Sequence, residues 1–446
     1  MSIRLYNALS RDVRDFEPID PMRVTLYVCG PTVYDTPHLG NARPAVVFDT
    51  LFRLLRHTYG ADAVFYARNF TDIDDKIMAR AAENGERIED LTSRTIHEYH
   101  EITEQLSVLL PTFEPRATHT IPEIVAMIET LITKGVAYEV AGHVYFSLDA
   151  WPQHGALSGH KQEDLNVSAD TKGLDNKRNE GDFVLWKPSN DGQPGWDSPW
   201  GVGRPGWHIE CSAMIAKHLG ETIDIHGGGG DLRFPHHECE ISQSHAAHGH
   251  APARFWMHNG MLTIDGSKMA KSEGNFITAR EAIEEHGGDV VRLALLSTHY
   301  RQNLNWTQQV LRDSLGTLRG WHKVLDGVEG EPRNNDVAAA ILHGLTNDLN
   351  TVQSIAALNS YLPEVESPAV ASGIRYAAGV LGFDLVHNDD WLRGGPDRQE
   401  IEDAIAQRAV ARLAKNFAES DRLRDLLNSK GIVVEDRGTS YVWSRR

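Results

Sequence analysis

Residues 23–66 read RVTLYVCGPTVYDTPHLGNARPAVVFDTLFRLLRHTYGADAVFY, and the fold turns on how they are read. Residues 23–28 form a near-continuous apolar run, the pattern of a strand buried on both faces of a parallel sheet. The run ends in Cys29-Gly30-Pro31-Thr32 and a loop follows over 34–37. Beyond His38-Leu39-Gly40-Asn41, apolar spacings of three and four predict a helix over 46–57. Residues 63–66 predict another strand. Strand, glycine-bearing turn, helix and strand make the βαβ unit of a doubly wound sheet. Ligands of such sheets sit at the carboxyl ends of the strands, and Cys29 lies at one of them. The expected fold class is α/β: a doubly wound parallel-sheet (Rossmann-type) catalytic domain with an insertion, then an all-α C-terminal region ending in a small hairpin.

Working outward, a short strand opens the chain at 3–6, and NFTDIDD (69–75) stacks three aspartates beyond the strand at 63–66. Helices are predicted over 74–84, 88–109 and 121–134, the last leading into a hairpin-like YEVAGHVYFSL (138–148). A polar stretch rich in glycine and proline runs over 151–205. The division this suggests is a first catalytic half (1–117), an inserted connective domain (118–205) and a second half (206–305) with a strand at 255–258. A helical bundle (306–393) and a C-terminal region (394–446) complete it. Helices are expected over 308–325, 335–348, 352–362, 370–381 and 401–427, with linkers at 326–334 and 394–396. A hairpin pairing 432–434 with 441–443 ends the chain.

At 446 residues the chain can bury a sizeable core, and 24% charged with 41% hydrophobic residues is an ordinary globular balance. No apolar run is long enough to span a bilayer, and Met1-Ser2-Ile3-Arg4 does not begin a signal peptide. Three cysteines are too few for a disulfide framework and favour a reducing compartment, so the cytoplasm is expected. A net charge of −18 argues against indiscriminate nucleic-acid binding. Residues 408–446 nevertheless hold nine Lys/Arg against five Asp/Glu, so the tail is where nucleic acid would touch.

Chemistry concentrates in residues 206–240, GWHIECSAMIAKHLGETIDIHGGGGDLRFPHHECE, which contain two of the cysteines and five of the 22 histidines. Cys211 is expected in the first turn of a helix that stops at Gly220, where oriented N–H groups favour a thiolate. A short strand at 222–225 then enters four glycines, and a second helix opens on His236. His236 and Glu240 are four apart and share a helical face. Thiolate, imidazole and carboxylate make three-quarters of a tetrahedral zinc site, for which Cys29 is a candidate fourth ligand. On spacing alone His237 and Cys239 are rivals, and two ordinary helices explain the stretch equally well. His38-Leu39-Gly40-Asn41 occupies a helix N-terminus suited to phosphate. Lys268-Met269-Ala270-Lys271-Ser272, in a glycine-flanked loop over 260–275, suits a cation clamp on a triphosphate. Each stretch alone is also compatible with an exposed loop.

Together, HxGN and KMxKS resemble the paired signatures of class I aminoacyl-tRNA synthetases, with Asn41 for the usual second histidine and Ala270 for the usual serine. YVCGPTVYD (27–35), NFTDIDD (69–75), GWHIECSAM (206–214) and HGGGGDLRFPHHECE (226–240) narrow the resemblance to the cysteinyl-tRNA synthetase family. The resemblance implies one zinc per chain on Cys29, Cys211, His236 and Glu240, taking the substrate thiolate as an additional ligand. Cys239, where the family usually has asparagine, becomes a buried bystander. Thr71 and Trp207 would line the cysteine pocket. His38, Asn41, His226, Asp231 and Lys271 would bind ATP, and His38, Asn41, Lys268 and Lys271 would serve catalysis, with Mg²⁺ accompanying ATP. The implied partners are L-cysteine, ATP and cysteine tRNA, with no membrane; a monomer is expected. Arg408, Arg412, Lys415, Arg422 and Arg424 are candidate tRNA phosphate contacts. Trp443 either stacks on an unpaired base or plugs the last hairpin. A ligase acylating an amino sugar would use the same adenylation site, and a non-catalytic paralogue would keep only the binding surfaces. The basic final helices and the two intact signatures favour tRNA charging over both.

Overall fold

The computed structural model describes residues 2–159, 176–269, 274–386, 398–437 and 440–445. It divides into two compact units, one of residues 1–308 and 343–352, the other of 309–342 and 353–446.

The first unit is built on a four-stranded, all-parallel sheet. In chain order it opens with the hairpin β1 (Ile3–Asn7) and β2 (Asp12–Phe16), then β3 (Val24–Val28), α1 (Leu39–Tyr59) and β4 (Val64–Arg68). Helices α2 (Asp75–Asn84), α3 (Ile88–Gln105) and α4 (Ile121–Thr133) follow. Then come β5 (Ala137–Val140), β6 (His143–Phe146), β7 (Phe183–Pro188) and β8 (Gly203–Pro205), an antiparallel sheet in that order. Next are α5 (Trp207–His218), β9 (Ile223–Gly229), α6 (His236–His248) and β10 (Ala253–Asn259). The parallel sheet runs β10-β9-β3-β4, so strands from both sides of the inserted β5–β8 sheet lie side by side. All five residues of β3 are buried, as the apolar run required. A three-stranded sheet of β11 (Leu262–Ile264), β12 (Ser267–Lys268) and β13 (Leu304–Trp306) flanks helices α7 (Ala279–His286) and α8 (Gly288–Leu296) in sequence. This is the α/β, parallel-sheet arrangement that the βαβ reading called for.

Three expectations need correction here. Helix α1 begins at Leu39, seven residues before 46, and runs through Pro44. Pro44 lacks an N–H for the Gly40 carbonyl, a loss confined to the second turn, while Asn41 Oδ1 accepts the His38 N–H (3.1 Å) and caps the helix. Strand β2 was missed because Asp-Val-Arg-Asp-Phe is mostly exposed and shows no apolar alternation. The strand expected at 222–225 continues through three glycines to Gly229. There a Cβ on Gly227 would lie 2.3 Å from the Phe48 ring of α1, so only bare backbone fits between helix and sheet.

The second unit is helical: α9 (Gln308–Leu325), α10 (Asp336–Thr346) and α11 (Thr351–Tyr361), each shared at one end with the first unit, then α12 (Pro368–Leu381). Trp321 is buried there, its Nε1 donating to Asn359 Oδ1 (2.6 Å) and its ring meeting Phe383 edge-on. Arg375 donates to the carbonyls of Leu325, Val328 and Gly330, closing the end of α9. The single helix expected over 401–427 is two, α13 (Arg398–Leu413) and α14 (Phe417–Ser429). Lys415 takes a left-handed φ of 57° and Asn416 caps α14 through the Glu419 N–H, a break that apolar spacing does not register. The expected linker at 394–396 lies outside the described residues.

The terminal hairpin, β14 (Ile432–Arg437) with β15 (Ser440–Arg445), forms where expected but in a shifted register: 432–434 pair with 443–445 rather than 441–443, because both strands run on toward the turn as far as Arg437 and Ser440. Trp443 is buried with Ile401, Ile405, Leu427 and Ile432, so it plugs the hairpin against α13 and α14. Trp443→Ala is expected to cost the C-terminal region about 3 kcal/mol. Hydrogen exchange over 398–443 measures this, and unchanged protection would contradict it.

Candidate functional site

Cys29 directly follows β3, and its N–H donates to the Gly227 carbonyl of β9 (3.1 Å), so the strand end is fixed on both sides. Asn69 Oδ1 accepts the Gly30 N–H (2.9 Å), and a Cβ on Gly30 would lie 1.8 Å from the Asn69 carbonyl oxygen. Gly30→Ala is therefore expected to destabilise the protein by about 3 kcal/mol, the upper end for forced overpacking. Urea unfolding tests this; a loss within about 0.5 kcal/mol, the range of an ordinary surface change, would contradict it.

Helix α5 starts at Trp207, which makes Cys211 its fifth residue. The thiol thus stands in the second turn rather than the first, where the sequence reading had put it. Helix α6 starts at His236 and places Glu240 one turn on, with His236 Nε2 3.0 Å from Glu240 Oε1. Residues 236–240 are all buried, and the three between His236 and Glu240 each look a different way. His237 Nδ1 meets His258 Nε2 at 2.8 Å. Glu238 accepts the N–H groups of Gly155 (2.9 Å) and Ser158 (2.7 Å), fastening that loop. Cys239 sits in the apolar cluster with Phe146, Phe183 and Ile209.

Cys29, Cys211, His236 and Glu240 bring one donor atom each within 4.8 Å of one another, all four buried. The sulfurs of Cys29 and Cys211 are 3.6 Å apart, and Cys29 Sγ is 3.5 Å from Glu240 Oε1. Two sulfurs about 2.3 Å from a tetrahedral zinc lie about 3.8 Å apart, and sulfur and carboxylate oxygen about 3.6 Å, so the donor set fits that ion. A second group, Cys29, His226, His237 and Glu240, meets the same distance test. His226 Nε2 is 3.1 Å from Glu240 Oε2 and 3.9 Å from Cys29 Sγ. The first group carries both cysteines, and zinc prefers the set richer in thiolate.

Burial pushes the Cys29 thiol and the Glu240 carboxyl well above their ordinary ranges, and holds His226, His236 and His237 neutral. Groups this buried shed their protons when a dication supplies the missing charge. His208 Nδ1 faces His236 Nδ1 at 3.0 Å, and burial lowers the His208 pKa to about 3. A neutral His208 can accept the His236 Nδ1–H, which leaves His236 Nε2 as a donor atom toward the cluster. The Trp207 ring stacks on His236 at 4.2 Å and holds its plane. Neither the His208 contact nor the position of His226 was legible in the sequence. The resemblance had named His226 only for ATP, and its approach to Cys29 follows from the β3–β9 register.

Thr71 is buried and bound by main chain to the loop after Cys29: its N–H donates to Pro31 and its carbonyl accepts from Val33. Asp231 is exposed in the single turn Gly230–Arg233 after β9. His38 is the N-cap of α1, and its ring meets Phe276 edge-on. Lys268 is exposed at the end of β12; Lys271 lies outside the described residues. The far base of that loop rests on α1's start, with Leu39 N–H donating to Ile277 (3.3 Å) and Ala279 N–H to Pro37 (3.0 Å). Met269, at the described start of the second signature, comes within 3.6 Å of where a Cβ on Gly40 of the first would lie.

Residues 15–316 match the family model of the class I (C) tRNA synthetase catalytic domain, and residues 398–443 that of the cysteinyl-tRNA ligase anticodon binding domain. The chain is 48% identical to the cysteine–tRNA ligase of Paramagnetospirillum magneticum, with 100% of each chain covered. The chain belongs to the cysteine–tRNA ligase family. Its similarity to the cysteine–tRNA ligase of Rhodospirillum centenum is 49%, again over 100% of both chains. Two solved structures share the fold at low identity. One is Mycobacterium tuberculosis methionyl-tRNA synthetase in complex with methionyl-adenylate (16% identity, TM-score 0.55, covering 80% of this chain and 89% of that one). The other is Agrobacterium radiobacter K84 agnB2 LeuRS in a ternary complex (12% identity, TM-score 0.58, covering 82% and 84%). Among the described residues of this cysteine–tRNA ligase family member, no helix is long and apolar enough to cross a membrane.

Proposed function

We propose that this chain activates L-cysteine with ATP to cysteinyl-adenylate and diphosphate, then transfers the cysteinyl group to the 3′ end of cysteine tRNA. The observation that carries the reading is the buried Cys29–Cys211–His236–Glu240 cluster at the strand ends. Bound there, one zinc per chain would supply a soft Lewis acid that prefers the substrate's thiolate to serine's hydroxyl. Selection by such a bond rejects serine by several orders of magnitude, so residues 118–205 need no editing site.

The chain's own groups do the rest. Trp207 and Thr71 flank the amino acid and hold it in place. Adenosine would lie along the backbone of the glycine run that ends β9, with Asp231 near the ribose, while the His226 imidazole holds Glu240 Oε2. His38 and Asn41 present the start of α1 to the phosphates. A cysteine carboxylate oxygen attacks the α-phosphorus in line as the bond to diphosphate breaks. Lys268 and Lys271 close on the departing diphosphate, with Mg²⁺ sharing its charge. The ribose hydroxyl of tRNA then attacks the adenylate carbonyl and AMP leaves; no side chain becomes covalently linked.

Residues 306–393 would contact the tRNA stem and 394–446 the anticodon. The anticodon-binding match favours tRNA over an amino sugar as acceptor. Arg412 and Lys415 are exposed, and Arg408 is half-buried. Arg422 pairs with Glu419, and Arg424 with Asp421 and Asp425, so those two must exchange partners to reach phosphate. A cytoplasmic monomer is the proposed working form. The test is cysteine-dependent exchange of pyrophosphate into ATP, followed by charging of cysteine tRNA. Exchange without charging would overturn the acceptor, and absence of both in a zinc-loaded sample would overturn the reading.

A further inference from the structure

We propose that Arg43 is a positioning residue for adenylate formation: its buried guanidinium sets the base of the lysine loop against the first turns of α1. This rests on the activity proposed above.

Arg43 is the fifth residue of α1, two beyond Asn41, and is fully buried. Its Nη1 donates to the carbonyls of Gly260 (2.5 Å) and Met261 (2.7 Å), and its Nη2 to that of Gln302 (2.6 Å). Gly260 and Met261 form the whole connection from β10 to β11. Strand β11 pairs with β12, which ends on Lys268, and on its other edge with β13. Gln302 stands two residues before β13. One side chain therefore grips both segments that found the small sheet from which the lysine loop springs. The other end of the loop is tied to the same helix by main chain, at Pro37 and Leu39. The close approach is built into the sequence, because a Cβ on Gly260 would lie 2.2 Å from the Gln302 carbonyl oxygen.

The chemistry of the grip sets it apart from a stabilising core contact. Among the described residues no carboxylate pairs with Arg43, and its Nε has no hydrogen-bond partner. A buried guanidinium held by neutral carbonyls alone is costly. Burial accordingly lowers its pKa to about 10. Elsewhere in the same unit a buried arginine has its counter-ion: Arg292 meets Asp49 at 2.5 Å. Arg43 keeps an uncompensated positive charge within two turns of His38, at the helix end proposed to take the triphosphate. Geometry and charge both point to the phosphates: the three carbonyls fix distance, and the unpaired cation favours the polyanion.

The test uses the zinc-loaded full-length protein and three variants. Arg43→Lys keeps the charge without the three-way fork, and Arg43→Gln removes the charge. Asn303→Ala removes only the Asn303 Oδ1 that accepts the Met261 N–H (2.9 Å). Pyrophosphate exchange is measured with ATP and cysteine varied separately, alongside zinc content and thermal unfolding. Both Arg43 variants should keep zinc and a KM for cysteine within about threefold, while kcat falls about 100-fold, the cost of misplacing reacting groups by about 1 Å. Folded Arg43 variants whose kcat stays within about threefold of wild type would overturn the assignment, as would a cysteine KM that rises as much as kcat falls. If neither Arg43 variant folds, Asn303→Ala decides. A kcat about fivefold lower at unchanged cysteine KM supports the grip on this connection, and unchanged kcat overturns it. A wild-type protein with no cysteine-dependent exchange would sink the activity itself, whereas full activity in the variants sinks only the role of Arg43.

Discussion

Cys211→Ser is expected to emerge from purification without zinc and to lose cysteine-dependent pyrophosphate exchange by about 10³-fold or more. The substitution changes one buried atom, sulfur for oxygen, and leaves the packing of α5 undisturbed, so the fold should survive. The donor set does not survive. A serine hydroxyl is a hard, neutral ligand, and zinc would be left with one thiolate, one imidazole and one carboxylate. Glu240 and Cys29, both driven by burial toward their protonated forms, would then have less to gain from ionising. Zinc content and circular dichroism on the same sample separate the outcomes. Native zinc in a folded Cys211→Ser protein would remove Cys211 from the ligand set and turn attention to Cys29, His226, His237 and Glu240.

Lys271→Ala is the second large effect. It should slow adenylate formation by about 10²–10³-fold, the scale of one lost donor to charge that develops only in the transition state. Cysteine affinity should hardly change, because the partner proposed for the lysine is diphosphate rather than the amino acid. Single-turnover kinetics with titrated cysteine measures both quantities. A large loss of cysteine binding with normal turnover at saturation would assign the lysine a different role.

The parts of this protein that follow residue-type patterns were legible from the chain. Val24–Val28 is nearly all apolar and is buried throughout, and the short apolar runs at 432–434 and 441–443 lie in the two strands of a hairpin. His236 and Glu240 share a face because helical period puts them there, and their donor atoms do meet. What the pattern could not show depends on main chain and on register. Apolar spacing began the helix at 46, yet the Asn41 side chain caps it at its true start, Leu39. One left-handed residue, Lys415, divides what apolar spacing joined into a single helix. His226 comes to Cys29 because β9 lies against β3 in one particular register, Tyr27 opposite His226. Arg43 was silent for a similar reason, since all three of its partners are backbone carbonyls and carry no residue type to read.

Zinc K-edge absorption on the zinc-loaded protein, recorded without and then with L-cysteine, tests the central claim most directly. The Cys29–Cys211–His236–Glu240 set predicts two protein sulfurs around the ion, and a third when L-cysteine is added but not when L-serine is. A spectrum with one protein sulfur, or a sulfur shell that cysteine leaves unchanged, would contradict the account.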